Sequence, residues 1–339
     1  MQTEGSRKLA RFRRLSRFMR ETFGGRVHKV GLWGGFGCPN RDGTLSSKGC
    51  SFCNPLASRP ISIRPGMTVN EQLRDGCAHV ASRFGASLFL PYFQDYTTTY
   101  AGPDELEAMF SGVLEAPGVV GLSLCTRPDC LDEDILDVLE GLAARTFLWV
   151  EIGVQTFDEG LLRDMNRCHT AADTLEAFRK LHGRGITTAA HMILGYPGYT
   201  AGTAVEDAGM LLSTGTAGVK LQNFHVVAGT GMERRFREGR FPPLEMDSYV
   251  EMAVAFLEHT HPMVTVLRTS AQAPAALTVS PPWSLDKGMV LRKIESVLEQ
   301  ADTWQGRALG SARSELELPV PFRGSPGGRV AIAADIGPE

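Results

Sequence analysis

The sequence predicts an α/β fold organised on a parallel sheet, and three observations carry that prediction. From about residue 26 onward, short apolar and β-branched runs alternate with longer segments of helical period. Several of the helical segments open on recognisable start signals. The residues with most chemistry fall just beyond the strand candidates. Parallel neighbours need crossover segments that pack on the sheet, so this alternation is how such a sheet is written in a chain.

The first strand candidate, 27–34, runs into a loop rich in glycine and cysteine. A helix over 68–84 follows, opened by Thr68 with Glu71 three residues on, the spacing of a capping box. Strand 87–93 leads to Gln94 and Asp95. Helix 103–116 begins on Pro103, whose missing N–H costs nothing in a first turn. Strand 119–126 precedes Arg127, and helix 131–144 leads to strand 147–155, which ends on Gln155. Helix 171–184, strand 187–194, helix 201–214 and strand 219–227 complete six β/α units. An open doubly wound sheet and a full or partial barrel both satisfy this order, and in both the working loops lie beyond the C-terminal ends of the strands.

At 339 residues, 43% hydrophobic and 22% charged, the chain has ample apolar content for a core. A net charge of −3 gives no reason for the whole molecule to attract nucleic acid or anionic membrane. No apolar run approaches the roughly 20 residues that span a bilayer. The Arg-rich N-terminus lacks the apolar centre of a secretory signal, so a cytoplasmic location with no membrane partner is expected. Seven cysteines then argue for metal ligation or buried thiols over a disulfide framework.

The ends differ from the middle. Residues 7–20 are strongly basic, with Leu9, Leu15 and Met19 near helical spacing, and predict a basic N-terminal helix within 1–25. Its charges read better as a solvated face packed on the core than as an RNA-binding patch. From about Ser311 the chain is rich in glycine and proline, and a disordered tail is expected over 307–339. The core is assigned to 26–230 and a C-terminal α/β extension packing on it to 231–306.

Cys38 and Cys50 are separated by eleven residues and Cys50 and Cys53 by two, in a loop whose Gly, Pro, Asn and Asp content lets it wrap tightly. Three soft thiolates converging there suit an iron–sulfur cluster or zinc. Structural zinc wants four protein ligands, and the nearest further donors, Cys77 and His79, lie on the next predicted helix without ligand spacing. Three cysteines leave one coordination position open. Such a polar loop offers little apolar burial for thiols that merely pack.

The loop resembles the radical SAM superfamily. Gly37-Cys-Pro-Asn-Arg-Asp-Gly-Thr44 with Gly49-Cys-Ser-Phe-Cys-Asn54 is similar to its YhcC-like group, in which the first spacing is expanded. The resemblance continues in order through Tyr92–Tyr100, Cys125-Thr-Arg-Pro-Asp-Cys130, Glu151-Ile-Gly-Val-Gln-Thr156, Asn166-Arg-Cys-His-Thr170, His191–Gly198, Lys220–Val227 and Thr303-Trp-Gln-Gly306. The central part, 151–198, is also similar to the Elongator catalytic subunit and to oxygen-independent coproporphyrinogen oxidases.

The resemblance implies a partial (β/α)6 TIM-like barrel, the radical SAM core, with short N- and C-terminal extensions. It implies that Cys38, Cys50 and Cys53 hold a [4Fe–4S] cluster whose fourth iron is chelated by S-adenosyl-L-methionine. The reduced cluster would cleave that cosubstrate to a 5′-deoxyadenosyl radical, which abstracts hydrogen from a substrate, a small molecule or tRNA, with flavodoxin or ferredoxin as the kind of electron donor. Among cofactor contacts it implies Phe52 against the adenine, Gln94 near the methionine amino group, Gln155 on the ribose, Arg167 on the carboxylate and His191 facing the ribose. Glu151, Lys220, Gln222, Asn223 and His225 alternate between interior and coat, with the face of each left open. Cys125, Cys130 and Cys168 form no CxxC pair and read as structural thiols. The alternative is a protein whose iron–sulfur or zinc site is structural and not catalytic.

Overall fold

Six parallel strands form where the alternating runs place them. The computed structural model describes residues 10–57, 59, 60, 62–94 and 96–319. The strands are β1 (Val27–Leu32), β2 (Leu88–Phe93), β3 (Gly121–Thr126), β4 (Phe147–Gln155), β5 (Thr187–Leu194) and β6 (Gly218–Asn223). The helices, in chain order, are α1 (Leu15–Phe23), α2 (Val69–Phe84), α3 (Pro103–Leu114), α4 (Glu133–Arg145), α5 (Glu159–Asp164), α6 (Ala171–Gly183) and α7 (Ala201–Leu212). The start signals act as anticipated. Thr68 and Glu71 close a reciprocal capping box on α2, Pro103 occupies the first turn of α3, and Asp132 caps α4 by accepting from the Ile135 N–H at 3.0 Å.

Beyond β6 the chain forms β7 (Val226–Val227), α8 (Gly231–Arg237), α9 (Met246–Glu258), β8 (Thr265–Arg268), β9 (Thr278–Ser280) and α10 (Lys287–Gln300). The sheet runs β1-β2-β3-β4-β5-β6-β8 with every pairing parallel, while β7 and β9 form a small antiparallel pair. The segment 231–306 therefore does more than pack on the core, because it supplies the seventh strand. The predicted strand 219–227 divides after Asn223, where Phe224 still donates its N–H to Leu194 O at 2.8 Å but the chain then turns away to form β7.

Side chains show that the sheet is curled into a half-barrel. Lys29 on β1 and Lys220 on β6 both stand over the Tyr92 ring, at 4.3 and 4.6 Å from its centre. Five strand spacings of ~4.8 Å separate β1 from β6 in a flat sheet, far beyond the reach of two lysines. Outside the curl, Leu106, Phe110, Leu136, Leu139, Phe178 and Leu181 on the covering helices are fully or nearly fully buried in one cluster with Leu122, Val150 and Met192 of the sheet.

Inside, α1 closes the end of the barrel at which the strands begin. Phe18 lies 5.1 Å from Trp149 and 6.1 Å from Phe147 between ring centres, and the cluster continues through Met19, Leu90 and Leu267. Gly218 leaves the space that Trp149 fills, since a Cβ there would sit 2.5 Å from its ring. The basic residues of this helix and its approach are bound back onto the chain. Arg11 pairs with Asp302 at 2.8 Å, Arg14 with Glu295, and Arg17 with Glu317.

The expected tail is ordered further than its composition suggests. Residues 313–317 form a 3₁₀ turn with Leu316 buried, because the fully buried Arg13 guanidinium draws in the carbonyls of Glu315 and Leu318 at 3.2 and 2.6 Å. Residues 320–339, and the first part of the basic segment up to residue 9, lie outside the described residues. Among the described residues no helix is long and apolar enough to cross a membrane.

Candidate active site

The cysteine loop leaves β1 and is folded by its own polar side chains. Cys38 O accepts from the Arg41 and Asp42 N–H groups at 2.8 and 3.2 Å, Gly49 N–H donates to Asn40 O at 2.7 Å, and Cys53 N–H donates to Cys50 O at 3.0 Å. The segment after α5 clasps it. Asn166 Nδ2 donates to Gly49 O at 2.7 Å, and Asn40 Nδ2 donates to Asn166 O at 2.6 Å and lies 3.3 Å from Cys50 Sγ. Asn166 and Cys168 both hold positive φ, 55° and 57°, where asparagine is tolerated far better than cysteine.

Two arginines stand beside the cysteines. Arg167 Nη1 lies 3.2 Å from Cys50 Sγ, while its Nε donates to His169 Nε2 at 3.1 Å and its Nη2 to Gly153 O at 2.6 Å. Arg127 grips Asp129 at 2.9 and 2.8 Å and donates to Arg167 O at 2.6 Å. Burial alone would raise the Cys50 thiol, but the charges of Arg167 and Arg127 outweigh it and bring Cys50 below its ordinary value. Burial, joined by the neighbouring Cys50 charge, pushes Cys53 up to about 11. A site that favours one thiolate and resists adding a second is one that an added positive centre would complete.

The donor set fits an iron–sulfur cube better than a lone ion. Four thiolates around one tetrahedral zinc lie ~3.8 Å apart, from bonds of ~2.3 Å. Cys38, Cys50 and Cys53 are not among the described donor groups that all fall within 4.8 Å of one another. Cys77 is placed on α2, where it lines a separate cavity with Asn70, Leu73 and Glu115. Cys125, Glu151 and His191 do meet that spacing, but a cation already serves them: Lys220 Nζ is 2.5 Å from Glu151 Oε2 and 3.0 Å from His191 Nε2.

A cavity of about 410 Å³ opens at the C-terminal ends of the strands, and Phe52, Cys53, Gln94, Gln155 and His191 all line it. The predicted cofactor contacts thus come together, with one exception. Arg167 lies behind the cavity wall, 6% exposed, occupied by Cys50, His169 and Gly153. Asp95 lies outside the described residues.

Gln155 is set by a local irregularity. The β4–β5 register shifts between Ile152 and Gln155, and Gln155 takes φ +74°. Its Oε1 is buried without a hydrogen-bond partner, on a side chain that lines the cavity. Gly153 makes the arrangement possible, since a Cβ there would stand 3.1 Å from Gln155 Nε2 and 3.2 Å from Arg167 Nη2.

Beneath the cavity lies a polar cluster inside the barrel, centred on the wholly buried Glu151. Its Oε1 accepts from Lys29 Nζ at 2.5 Å and Ser123 Oγ at 2.7 Å. Its Oε2 meets Lys220 Nζ and His191 Nε2, each at 2.5 Å, and accepts from Tyr92 OH at 3.2 Å. Tyr92 OH is also 3.0 Å from Cys125 Sγ. Burial alone would raise the Glu151 carboxyl, but Lys220 and Lys29 hold it well below the carboxylate range. Burial pushes Lys220 down to about 8, and burial with the Lys220 charge pushes His191 down to about 3.

The register explains the cluster. Cys125 pairs with Glu151 and His191 with Lys220, and laterally paired residues of a parallel sheet share a face. This settles Glu151 and Lys220 as interior. Sequence reasoning missed Lys29, Ser123, Asn40 and Gly153. Only Lys29, a lone charge inside an apolar strand run, carried a signal.

Comparison with known proteins gives the same picture. The sequence profile of the Radical SAM superfamily matches residues 35–211, and that of the Radical_SAM C-terminal domain matches 216–300. YtqA of Bacillus subtilis (strain 168) is 35% identical over 315 residues, covering 91% of this chain and 96% of that protein. YhcC of Escherichia coli (strain K12) is 33% identical over 290 residues, covering 85% and 92%. Among solved structures, the archaeal Elp3 of Methanocaldococcus infernus superposes with a TM-score of 0.60 at 17% identity, over 82% of this chain and 64% of that one, a likeness of fold.

Proposed function

This chain belongs to the radical SAM superfamily, an enzyme of that class, and we propose that Cys38, Cys50 and Cys53 hold a [4Fe–4S] cluster with S-adenosyl-L-methionine in the adjoining cavity. A cluster held there would supply the electron for reductive cleavage of the cosubstrate, and with it the 5′-deoxyadenosyl radical chemistry that would abstract hydrogen from a substrate. A reductant of the flavodoxin or ferredoxin kind is required for this. The observation that carries the reading is that Phe52 and Cys53 of the cysteine loop line one cavity with Gln155, while Arg167 and Arg127 stand beside Cys50 behind its wall.

The chain's own residues bind and shield. Arg167, Arg127 and the Asn40 amide offset negative charge at Cys50. Phe52 offers an aromatic face for the adenine, and Gln155 Oε1 accepts from a ribose hydroxyl. Gln94 and His191 complete the polar lining. Glu151 holds Lys220 and Tyr92 of the cavity lining in one hydrogen-bonded network.

A small-molecule substrate fits the surface better than tRNA. Among the described residues, Arg11, Arg14 and Arg17 are paired with Asp302, Glu295 and Glu317 and Arg13 is buried, so these four offer no free patch. The tRNA reading is carried by the resemblance to the Elongator catalytic subunit alone. The test is anaerobic reconstitution with iron and sulfide, then dithionite and S-adenosyl-L-methionine. 5′-Deoxyadenosine is expected from the parent chain and none from Cys50→Ser. A fully reconstituted parent that forms none would leave the structural metal site as the correct reading.

A further inference from the structure

The C-terminal segment contributes two cations to the cavity that no described residue neutralises. Among the described residues no aspartate or glutamate lines the cavity, in a chain whose net charge is −3. Lys220 is balanced by Glu151. Arg268, at the end of β8, donates through Nη2 to the neutral Gln222 Oε1 at 2.7 Å, and its Nε is buried without a partner. Lys287, the first residue of α10, makes no ion pair or hydrogen bond among the described residues. Arg268 and Lys287 line the same cavity, and burial together with the Arg268 charge pushes the Lys287 amine down.

Both residues also line a second cavity, of about 570 Å³, where β1 and β8 face each other unpaired across the open side of the barrel. That cavity has no carboxylate among the described residues of its lining either. Arg268 and Lys287 therefore stand at the wall common to the two spaces. A molecule entering through the open side meets them before it reaches Lys220 and the cysteine loop. Unsatisfied cations are costly in a partly buried wall, and an anion beside them recovers that cost while a neutral ligand does not.

We propose that Arg268 and Lys287 form the subsite for an anionic group of the substrate, a carboxylate or a phosphate, distinct from the groups that hold S-adenosyl-L-methionine. This rests on the cavity being the active site. The planar Arg268 fork suits two oxygens of either anion, and Lys287 adds a point charge beside it. Anchored there, the substrate has one end fixed at the wall and its reacting carbon free to lie over the cavity floor.

The test uses the reconstituted full chain, with citrate as the carboxylate probe and inorganic pyrophosphate as the phosphate probe, titrated calorimetrically at low ionic strength. Arg268→Gln and Lys287→Gln are each expected to weaken the probe that binds by about tenfold, the loss for one charged hydrogen-bonding partner. Arg268→Lys retains most of the binding and guards against misfolding, and the exposed Arg179→Gln on α6, outside the lining of both cavities, changes nothing. Which probe binds more tightly identifies the anion. Equilibrium dialysis of S-adenosyl-L-methionine on the same variants is expected to agree with the parent within about twofold.

The proposal is overturned if neither probe binds the parent, if both neutral variants bind as the parent does, or if cosubstrate affinity falls in step with probe affinity. That last result would give these cations to the methionine carboxylate. 5′-Deoxyadenosine formation on the same samples is read separately, so failure of the radical chemistry and failure of the anion subsite are told apart.

Discussion

Replacing Glu151 by glutamine removes the one negative charge that Lys29, Lys220 and the His191 ring share. The shape is kept, so packing changes little, and the effect is electrostatic. Lys220 is buried with 7% of its side chain exposed and Lys29 is partly so at 22%, which leaves two ammonium groups inside the barrel without a counter-ion. Breaking a buried pair from one side costs about 3–5 kcal/mol. For a chain of this size that lowers the thermal midpoint by about 4–7 °C.

The variant has a second signature. Lys220 already titrates at about 8, and the Glu151 charge is what raises it against burial. Without Glu151 the folded-state value drops further below that of an unfolded lysine. The unfolded chain then binds a proton that the folded variant does not, so the variant gains stability as pH rises between those two values. The gap to the parent is largest near neutrality and narrows by pH 9. Glu151→Gln combined with Lys220→Met recovers most of the loss, because the pair is removed together. Calorimetric unfolding of the cluster-free chain at pH 7 and 9 reads all three. A single variant within about 0.5 kcal/mol of the parent at pH 7 would refute the assignment of Glu151 as the charge on which the interior depends.

Three further outcomes follow from individual positions. Gly153→Ala puts a methyl 3.1 Å from Gln155 Nε2 and 3.2 Å from Arg167 Nη2, and should weaken S-adenosyl-L-methionine binding about tenfold with iron content intact; unchanged affinity removes Gln155 from the site. Gly218→Ala drives a Cβ to 2.5 Å from Trp149 and 2.6 Å from Leu267, an overpacking of about 1–3 kcal/mol measurable by urea unfolding, and no loss would mean that α1 and Trp149 are not held tightly. His191 is kept neutral with its pKa at about 3 against an ordinary 6.5, so its contribution is intact above pH 6.5 and is lost as pH falls toward 3. The thermal midpoint should decline from pH 7 to 5 and His191→Asn should flatten that decline; parallel slopes would place the His191 proton elsewhere.

The barrel was legible because its strands are long apolar runs separated by capped helices. β4 and β5 occur over the residues that periodicity indicates, 147–155 and 187–194. β8 was not, since Thr265-Val-Leu-Arg268 is four residues long, too short to show a period. The cysteine triad stood out by spacing. Arg167 was assigned through its motif, but which atoms it touches depends on the α5–α6 connection folding back over the cysteine loop, a contact 117 residues apart in sequence. The interior cluster was half visible. Lys220 and Glu151 were candidates without a face, and only lateral register, which no single strand encodes, turns them toward each other.

The seat of the N-terminal arm has a consequence for how the chain is made. Arg13 donates to carbonyls of Pro262, Glu315 and Leu318, its N–H is taken by Gln305 Oε1 at 2.9 Å, and Val266 N–H donates back to Arg13 O at 2.8 Å. Arg13 is thus made well before the residues that seat it, which follow 249 to 305 positions later in the chain. At ~5–20 residues per second that wait is about 15–60 s, during which the apolar face of α1 and the Trp149 end of the barrel are both uncovered. Growing chains caught in that interval are the ones on which a chaperone or a protease would act.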